Sequence, residues 1–219
     1  MKKFLKWAMA AFMVIALSAC GTEGQDASGA QGSSVDGSDS QGNEDNSGGQ
    51  TIDSSGLHHV EITVKDYGTI SVELNGDAAP ITVENFLKLS GDGFYDGLTF
   101  HRIISGFMIQ GGDPLGNGTG GSDQDIKGEF SANGVENSLS HTRGAISMAR
   151  SQLMDSASSQ FFIVHEDSTY LDGQYACFGY VTEGMEVVDA ICEATPVTDR
   201  NGTVAAENQP VIESIKVID

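Results

Sequence analysis

The sequence predicts a mainly β domain that closes into a barrel and carries two helices. Three observations point to this fold class: short segments of alternating apolar residues recur, glycine-rich loops separate them, and only two stretches have the spacing of an amphipathic helix. Many short strands with few helices are typical of barrels, because closure removes exposed sheet edges. The pattern runs from Leu57 to Asp219, which is enough chain for one domain with its own core.

The first residues differ from the rest and predict an export signal. A basic start with three lysines precedes an apolar run, Trp7 to Leu17, that is too short to span a membrane as a stable helix. The Leu-Ser-Ala-Cys sequence at residues 17–20 resembles the bacterial lipobox, whose cysteine is acylated before the signal is cut just ahead of it. We therefore expect a lipoprotein signal peptide at residues 1–19 and fatty acids such as palmitate on Cys20. A plain secretory signal is the alternative.

Residues 20–56 predict a disordered, flexible tether. Glycine, serine, aspartate, asparagine and glutamine dominate this stretch, and large apolar side chains are almost absent. Such a composition buries too little apolar surface to offset the chain entropy that folding would remove. Acidic residues without any basic residue extend the segment further by mutual repulsion. It would hold the domain formed by residues 57–219 away from a membrane.

The domain begins with a predicted hairpin and a predicted helix. The segments His58–Val64 and Thr69–Leu74 alternate between apolar and polar residues, and a short turn joins them. Pro80 suits the first turn of a helix, because the backbone N–H that proline lacks would have no partner there. Apolar residues then recur at helical spacing across Thr82–Leu89, and Gly91 ends the pattern.

The remaining chain predicts the second helix and the other strands. Gly184–Glu193 places apolar residues at helical steps, so it predicts the helix. The other segments are short, apolar or alternating, and bounded by glycine or polar loops. The predicted strands are Thr99–Ile104, Met108–Gly111, Gly144–Met148, Ser159–His165, Ala176–Val181 and Val211–Ile218.

Composition and motifs exclude several classes of function. Lysine and arginine number 11 against 31 aspartates and glutamates, and the net charge of -20 leaves no basic face for nucleic acid. The chain has no nucleophile elbow, no paired-cysteine redox motif, no zinc-protease motif and no phosphate-binding loop. His58 and His59 are adjacent on a predicted strand and would point to opposite faces, so they do not easily form a bidentate metal site.

Two cysteines remain beyond Cys20, and their state is open. Cys177 and Cys192 could form a disulfide in an exported protein. Their apolar surroundings favour buried free thiols instead. The sequence does not decide between the two.

One long segment carries a highly specific pattern. Phe100 to Asp113 reads Phe-His-Arg-Ile-Ile-Ser-Gly-Phe-Met-Ile-Gln-Gly-Gly-Asp and closely resembles the signature of the cyclophilins. Several separate motifs follow in the order of that family, so the resemblance covers the domain from about Val60 to the C-terminus. These motifs are Gly118–Gly121, Ser147–Arg150, Ser159–Ile163, Leu171–Gly173 and Phe178–Gly179.

The resemblance implies an eight-stranded antiparallel barrel closed by two helices, and peptidyl-prolyl cis-trans isomerase activity without a metal or cofactor. Amide resonance resists rotation about an X-Pro bond with a barrier of about 18–20 kcal/mol. Arg102 matches the catalytic arginine, whose hydrogen bond towards the prolyl nitrogen weakens that resonance. Phe107 and Gln110 match the other catalytic positions. The first lines the slot for the proline ring, and the second binds the substrate backbone and supports the arginine.

The resemblance also assigns residues that bind the substrate. Ala149 and Gln160 match positions that border a neighbouring subsite, and Arg150 is expected to contact the peptide through its backbone. Taken singly, the apolar positions would more often be plain core, since aromatic residues on strands usually are. The residues that line the proline slot together with Phe107 are Met108, Phe162, Leu171 and Tyr175.

Two tyrosines depart from the family pattern. Tyr170 stands where many members have tryptophan, at a position that contacts cyclosporin, so tight binding of that drug is not implied. Tyr175 stands where many have histidine, and a phenol can still wall the slot and donate one hydrogen bond. We expect a monomeric isomerase acting on proline-containing segments of exported proteins, anchored at the cell envelope through Cys20. A binding module of the same fold and a structural envelope protein are the alternatives.

Overall fold

The computed structural model describes residues 53–219. The predicted signal peptide, Cys20 and nearly all of the predicted tether lie outside the described residues. Within residues 53–219 no helix is both long and apolar enough to cross a membrane. This part of the chain forms one antiparallel sheet of eight strands and two α-helices, which confirms the mainly β fold class.

Each strand and helix lies close to the segment that the sequence predicts. In chain order the elements are β1 (Leu57–Val64), β2 (Gly68–Asn75), α1 (Pro80–Gly91), β3 (Phe100–Ile104), β4 (Met108–Gly111), β5 (Ala145–Met148), β6 (Phe161–Val164), β7 (Cys177–Glu183), α2 (Met185–Ala194) and β8 (Ile212–Val217). Neighbouring strands in the sheet follow the order β3-β4-β6-β5-β7-β2-β1-β8, and every pair is antiparallel.

The two edges of the sheet approach each other without a continuous ladder between them. Among the described residues, strand pairing runs from β3 to β8 and does not return to β3. Thr99 and Val211 form an isolated bridge, and Ile212 donates its backbone N–H to the oxygen of Leu98 at 2.8 Å. The sheet is therefore curled, and its complete closure into a barrel stays a prediction.

The alternation in the first hairpin decides which face of the sheet is buried. Val60 pairs with Val72 and Ile62 with Ile70, and all four side chains are fully covered. Alternate side chains on a strand point to opposite faces, so the polar residues between them face outwards. The turn of the hairpin places Asp66 at a φ of 66°, which aspartate tolerates better than most residues.

Helix α1 is capped at its N-terminus from a distant part of the chain. Ala79 precedes the helix and offers no side-chain hydrogen bond. The carboxylate of Glu129 instead accepts from the backbone N–H groups of Ile81 at 3.0 Å and Thr82 at 2.7 Å, and from the Thr82 hydroxyl at 2.7 Å. A negative charge at this end also complements the helix dipole. The buried face of the helix, with Phe86 at its centre, packs on the inner face of the sheet.

The outer face of β3, β4 and β6 carries a second apolar cluster, separate from the main core. Ile109 and Ile163 point inwards and belong to the main core, whereas Met108 and Phe162 belong to the second cluster. This division follows from the period of two along each strand. Cys177 is buried in the second cluster and Cys192 is half-buried on α2, and both are free thiols. They do not form a disulfide.

Candidate active site

Arg102 lies on the outer face of β3, next to a bulge. The strand register shifts between Phe100 and Arg102, and such a bulge re-aims the side chains that follow it. Arg102 Nε donates to the backbone oxygen of Asn201 at 2.8 Å, and Nη1 donates to Oε1 of Gln110 at 3.1 Å. These bonds hold the guanidinium plane and leave three of its N–H groups for a ligand. Burial lowers the pKa of Arg102, but an arginine remains charged at physiological pH.

A chain of side-chain amides continues from the arginine across β4 and β6. Gln110 accepts from Arg102 through Oε1, so its Nε2 must face the other way, where it donates to Oε1 of Gln160 at 2.9 Å. Gln160 in turn donates through Nε2 to the backbone oxygen of Gly120 at 2.7 Å. Every amide orientation in the chain is therefore determined by the donors and acceptors on either side. One N–H of Gln110 remains for a substrate carbonyl.

The predicted slot residues come together in the second apolar cluster beside Arg102. Met108, Phe162 and Leu171 are buried there, while Phe107 and Tyr175 are half-buried at its edge. The Phe162 and Tyr175 rings meet edge to face with centroids 6.0 Å apart, one of the arrangements that aromatic pairs favour. The structure thus brings five residues from three separate segments of the chain to one apolar depression.

Tyr170 forms part of the rim of this depression. Its ring lies 6.0 Å from that of Phe107, tilted by 34°, and the residue is 64% exposed. Its exposed ring is available to a ligand that covers Phe107.

The side chain of Arg150 contacts the aromatic residues beside the slot, whereas the sequence analysis expected only its backbone to matter. Its guanidinium lies 5.0 Å from the ring centre of Phe130 and 4.8 Å from that of Tyr175. It also donates from Nε and Nη2 to the backbone oxygen of Gln174. The cation therefore holds the aromatic wall of the slot through cation–π contacts and hydrogen bonds. The peptide contact through the Arg150 backbone stays a prediction.

His141 supports the slot from beneath, and the sequence analysis did not identify it. Its ring stacks on Phe162 with centroids 6.0 Å apart, and its Nδ1 lies 2.8 Å from Oδ1 of Asp172. Its Nε2 lies 3.0 Å from the hydroxyl of Ser147. Burial lowers the pKa of His141, and the hydrogen bond with Asp172 only partly offsets this shift. The only signal in the sequence was Asp172 itself, within the Leu-Asp-Gly motif.

A polar cleft of about 320 Å³ adjoins the slot on the side of Gln160. Ala149, which the resemblance assigns to the neighbouring subsite, lines it together with Arg150. Asp113 organises the loop opposite by accepting backbone N–H groups, among them that of Leu115 at 2.8 Å. Burial raises the pKa of Asp113, but these donors outweigh the effect and hold it below its ordinary value. The other lining residues are Gln110, Gly118, Thr119, Gly120, Gly121, Ser122, Asp125, Ser151, Ser156, Ser158 and Gln160.

Two glycines in that loop are required by the close approach of their neighbours. A Cβ on Gly120 would lie 2.2 Å from Oδ1 of Asp113, and a Cβ on Gly121 would lie 2.2 Å from the Ser158 hydroxyl. The glycine-rich motif was identified in the sequence as part of the family pattern. The serines that face it from the other wall carry no pattern that sequence analysis could recognise.

The family model described as "Cyclophilin type peptidyl-prolyl cis-trans isomerase/CLD" matches residues 59–217, nearly the whole described domain. The chain belongs to this family. Among curated relatives, the cyclophilin is 50% identical over 123 residues to peptidyl-prolyl cis-trans isomerase B of Bacillus subtilis (strain 168), covering 56% of this chain and 82% of the relative. It is 41% identical over 173 residues to peptidyl-prolyl cis-trans isomerase A of Dickeya dadantii (strain 3937), covering 73% and 84%.

A solved structure shows the same fold. The cyclophilin-type isomerase of Cryptosporidium parvum, crystallised in the presence of the dipeptide Ala-Pro, superimposes with a TM-score of 0.65 at 32% identity. The match covers 74% of this chain and 99% of that one. This cyclophilin is therefore a peptidyl-prolyl cis-trans isomerase by family and by fold. Within residues 53–219 no group of three or more His, Cys, Asp or Glu side chains is arranged to hold a metal ion.

Proposed function

We propose that this protein accelerates cis-trans isomerisation of X-Pro bonds in exported proteins and assists their folding at the cell envelope. The observation that carries the catalytic part is the position of the Arg102 guanidinium. Asn201 and Gln110 hold it from two sides, next to an apolar depression that suits a proline ring.

The reaction needs no bond to be made or broken in the protein. A proline ring seated against Phe107 would leave the preceding residue free to rotate. When the amide twists, the lone pair of the prolyl nitrogen is no longer shared with the carbonyl and can accept a hydrogen bond. Arg102 stabilises that twisted state more than either planar state, and only such differential binding lowers the barrier. The free N–H of Gln110 keeps the substrate backbone in register while the rotation occurs.

Replacing Arg102 tests this mechanism directly. Arg102→Ala is expected to lower kcat/KM for an Ala-Pro peptide at least about tenfold, which corresponds to about 1.4 kcal/mol of transition-state stabilisation. A protease-coupled isomerisation assay measures the rate. Lys88→Ala is the control, because it removes an exposed cation of α1 that pairs with Asp92 and does not line the groove. Wild-type activity in Arg102→Ala, or an inactive wild-type protein, would contradict the proposed function.

The sequence supports the cellular part of the proposal. Export and anchoring rest on the apolar signal and on Cys20, since one acyl chain gives only marginal membrane binding whereas two give durable anchoring. The predicted tether, residues 20–56, would then let the catalytic domain reach proline-containing substrate proteins near the membrane surface.

Cys20→Ser tests the anchor. The variant lacks the thiol that would be acylated, so it is expected either to keep its signal and run larger, or to be cut elsewhere and appear in the medium. Membrane fractions from cells fed a labelled fatty acid should carry label on the wild type and none on Cys20→Ser. Cys192→Ser is the matched control for loss of a thiol. Unlabelled wild-type protein found soluble outside the cell would leave only a plain secretory signal.

A further inference from the structure

A short turn next to β3 contacts Arg102, and its residues lie outside the signature segment Phe100–Asp113 in the sequence. This Asp199 turn, residues 198–203, reverses the chain between α2 and β8. Thr198 donates its N–H to the oxygen of Thr203 at 2.7 Å, and Gly202 donates to the oxygen of Asp199 at 3.3 Å. Asp at the first position and glycine at the fourth are the residues that such turns favour.

The carboxylate of Asp199 holds the turn together from inside. Its Oδ1 accepts the backbone N–H of Asn201 at 2.8 Å and that of Thr203 at 3.1 Å, while Oδ2 accepts the Thr203 hydroxyl at 3.0 Å. These donors, led by the Thr203 N–H, lower the pKa of Asp199, so the group is ionised at neutral pH. The residue is exposed and contributes nothing to the core.

The turn is docked on β3 on either side of Arg102. Ile103 donates its N–H to the oxygen of Gly202 at 2.8 Å, and Val204 donates to the oxygen of His101 at 3.0 Å. Gly202 has a φ of 81°, and a Cβ there would lie 2.3 Å from the Ile103 oxygen. The turn therefore lies at a closely defined distance from the strand that carries the arginine.

This docking brings the Asn201 carbonyl to the guanidinium. The oxygen accepts from Arg102 Nε at 2.8 Å, while Gln110 accepts from the opposite side. The Asn201 carbonyl shares its peptide plane with the Gly202 N–H, which donates to the Asp199 backbone oxygen, and the Asp199 carboxylate holds the two flanking peptide planes through the N–H groups of Asn201 and Thr203. The charge of Asp199 also opposes the lowering of the Arg102 pKa by burial.

We infer that Asp199 is a positioning residue for the isomerase reaction, because its carboxylate shapes the turn that presents the Asn201 carbonyl to Arg102. The inference rests on the proposed function, since it concerns the group that contacts the substrate. It also gives the Asn-Gly-Thr sequence at residues 201–203 a function, which is to dock the turn on β3 and to bind Arg102.

Two substitutions separate the shape of the turn from its charge. Asp199→Ala removes all three side-chain hydrogen bonds. Asp199→Asn keeps the Oδ1 acceptor for both backbone N–H groups and removes only the charge, while its amide can donate to the Thr203 hydroxyl. In the full-length protein, Asp199→Ala is expected to lower kcat for an Ala-Pro peptide about fivefold with little change in KM, since a displaced catalytic group costs rate more than binding. Asp199→Asn should stay within about twofold of wild type.

The readouts distinguish positioning from a general structural defect. The ¹⁵N NMR signal of the Arg102 Nε–H should shift or broaden in Asp199→Ala and stay in place in Asp199→Asn. Asp77→Ala is the control, because Asp77 is likewise a loop carboxylate that accepts a backbone N–H, from Gly56, away from the groove. In Asp77→Ala, the Arg102 Nε–H signal and kcat should both match those of the wild type. In an Arg102→Ala background, Asp199→Ala should cause no further loss.

Each contrary result has a defined meaning. Full activity and an unmoved Nε–H signal in Asp199→Ala would overturn the inference alone, provided that the wild type is active. Equal losses in Asp199→Ala and Asp199→Asn would assign the effect to charge and overturn the positioning role. An inactive wild type would overturn the proposed function, and the inference with it.

Discussion

Phe107 is one of the two predicted slot residues that keep part of their surface open to a ligand, and Tyr175 is the other. Met108 is 1% exposed, Phe162 5% and Leu171 8%, so these three form the floor and are covered before any peptide arrives. Phe107 is half-buried at the edge, next to the exposed ring of Tyr170. The apolar contact that a proline ring gains on binding therefore depends on these edge residues more than on the covered floor.

Removing the Phe107 ring should weaken both binding and turnover. Phe107→Ala is expected to raise KM and lower kcat, with a loss of about tenfold or more in kcat/KM, because the ring contacts the planar and the twisted substrate alike. Steady-state kinetics on an Ala-Pro peptide measures both constants. Ile218→Ala, which removes an exposed apolar side chain near the C-terminus, is the control. Unaltered peptide affinity would show that Phe107 belongs to the core and not to the site.

The capping of α1 illustrates how one element depends on another. Glu129 is only 2% exposed and has both carboxylate oxygens engaged with the first turn of the helix. A buried acceptor that satisfies several N–H groups is costly to remove, because the donors then have no partner. The helix covers the inner face of the sheet, whose outer face carries the candidate site, so its position affects the whole domain.

Glu129→Ala should therefore destabilise the domain strongly. We expect the free energy of unfolding to fall by about 2–4 kcal/mol, since two backbone N–H groups and the Thr82 hydroxyl lose their acceptor. Glu129→Gln keeps one acceptor oxygen and should lose less. Urea unfolding followed by circular dichroism measures both. Glu84→Ala, on the same helix and outside its buried face, is the control. A loss no larger than that of Glu84→Ala would show that the cap is dispensable.

The buried histidines make the stability of the whole molecule depend on pH. Burial lowers the pKa of His101 and of His141 below the ordinary value of 6.5. Within residues 53–219 neither ring nitrogen of His101 has a hydrogen-bond partner. The unfolded chain therefore takes up protons near pH 6.5 while the folded protein does not. Stability from this source is complete above pH 6.5 and decreases as the pH falls below it.

Acidification through the ordinary pKa of histidine should lower the free energy of unfolding. Between pH 7.5 and 5.5 we expect a loss of at most about 1.4 kcal/mol per buried histidine. His101→Gln should flatten the slope of stability against pH, because it removes a buried group that binds a proton only in the unfolded chain. Urea unfolding at several pH values measures the slopes. The same slope in His101→Gln as in the wild type would show that His101 does not cause the pH dependence of stability.

The sequence by itself determined the secondary structure and pointed to the centre of the candidate site. Apolar periodicity identified the strands, as in Val60, Ile62 and Val64, because burial on one face of a sheet demands a period of two. The signature segment identified Arg102 and Gln110, because both lie within a single continuous motif.

The tertiary structure alone decided what holds these residues in place. Arg102 is anchored by a carbonyl 99 residues away, and the cap of α1 comes from a carboxylate 47 residues beyond Thr82. Arg150 stabilises the wall formed by Tyr175 through contacts between separate loops. Such contacts depend on strand register and on how loops dock. A backbone carbonyl is chemically the same in every residue type, so the residue that supplies it cannot be recognised in the sequence. Local sequence patterns therefore do not encode them, and only the folded chain brings the partners together.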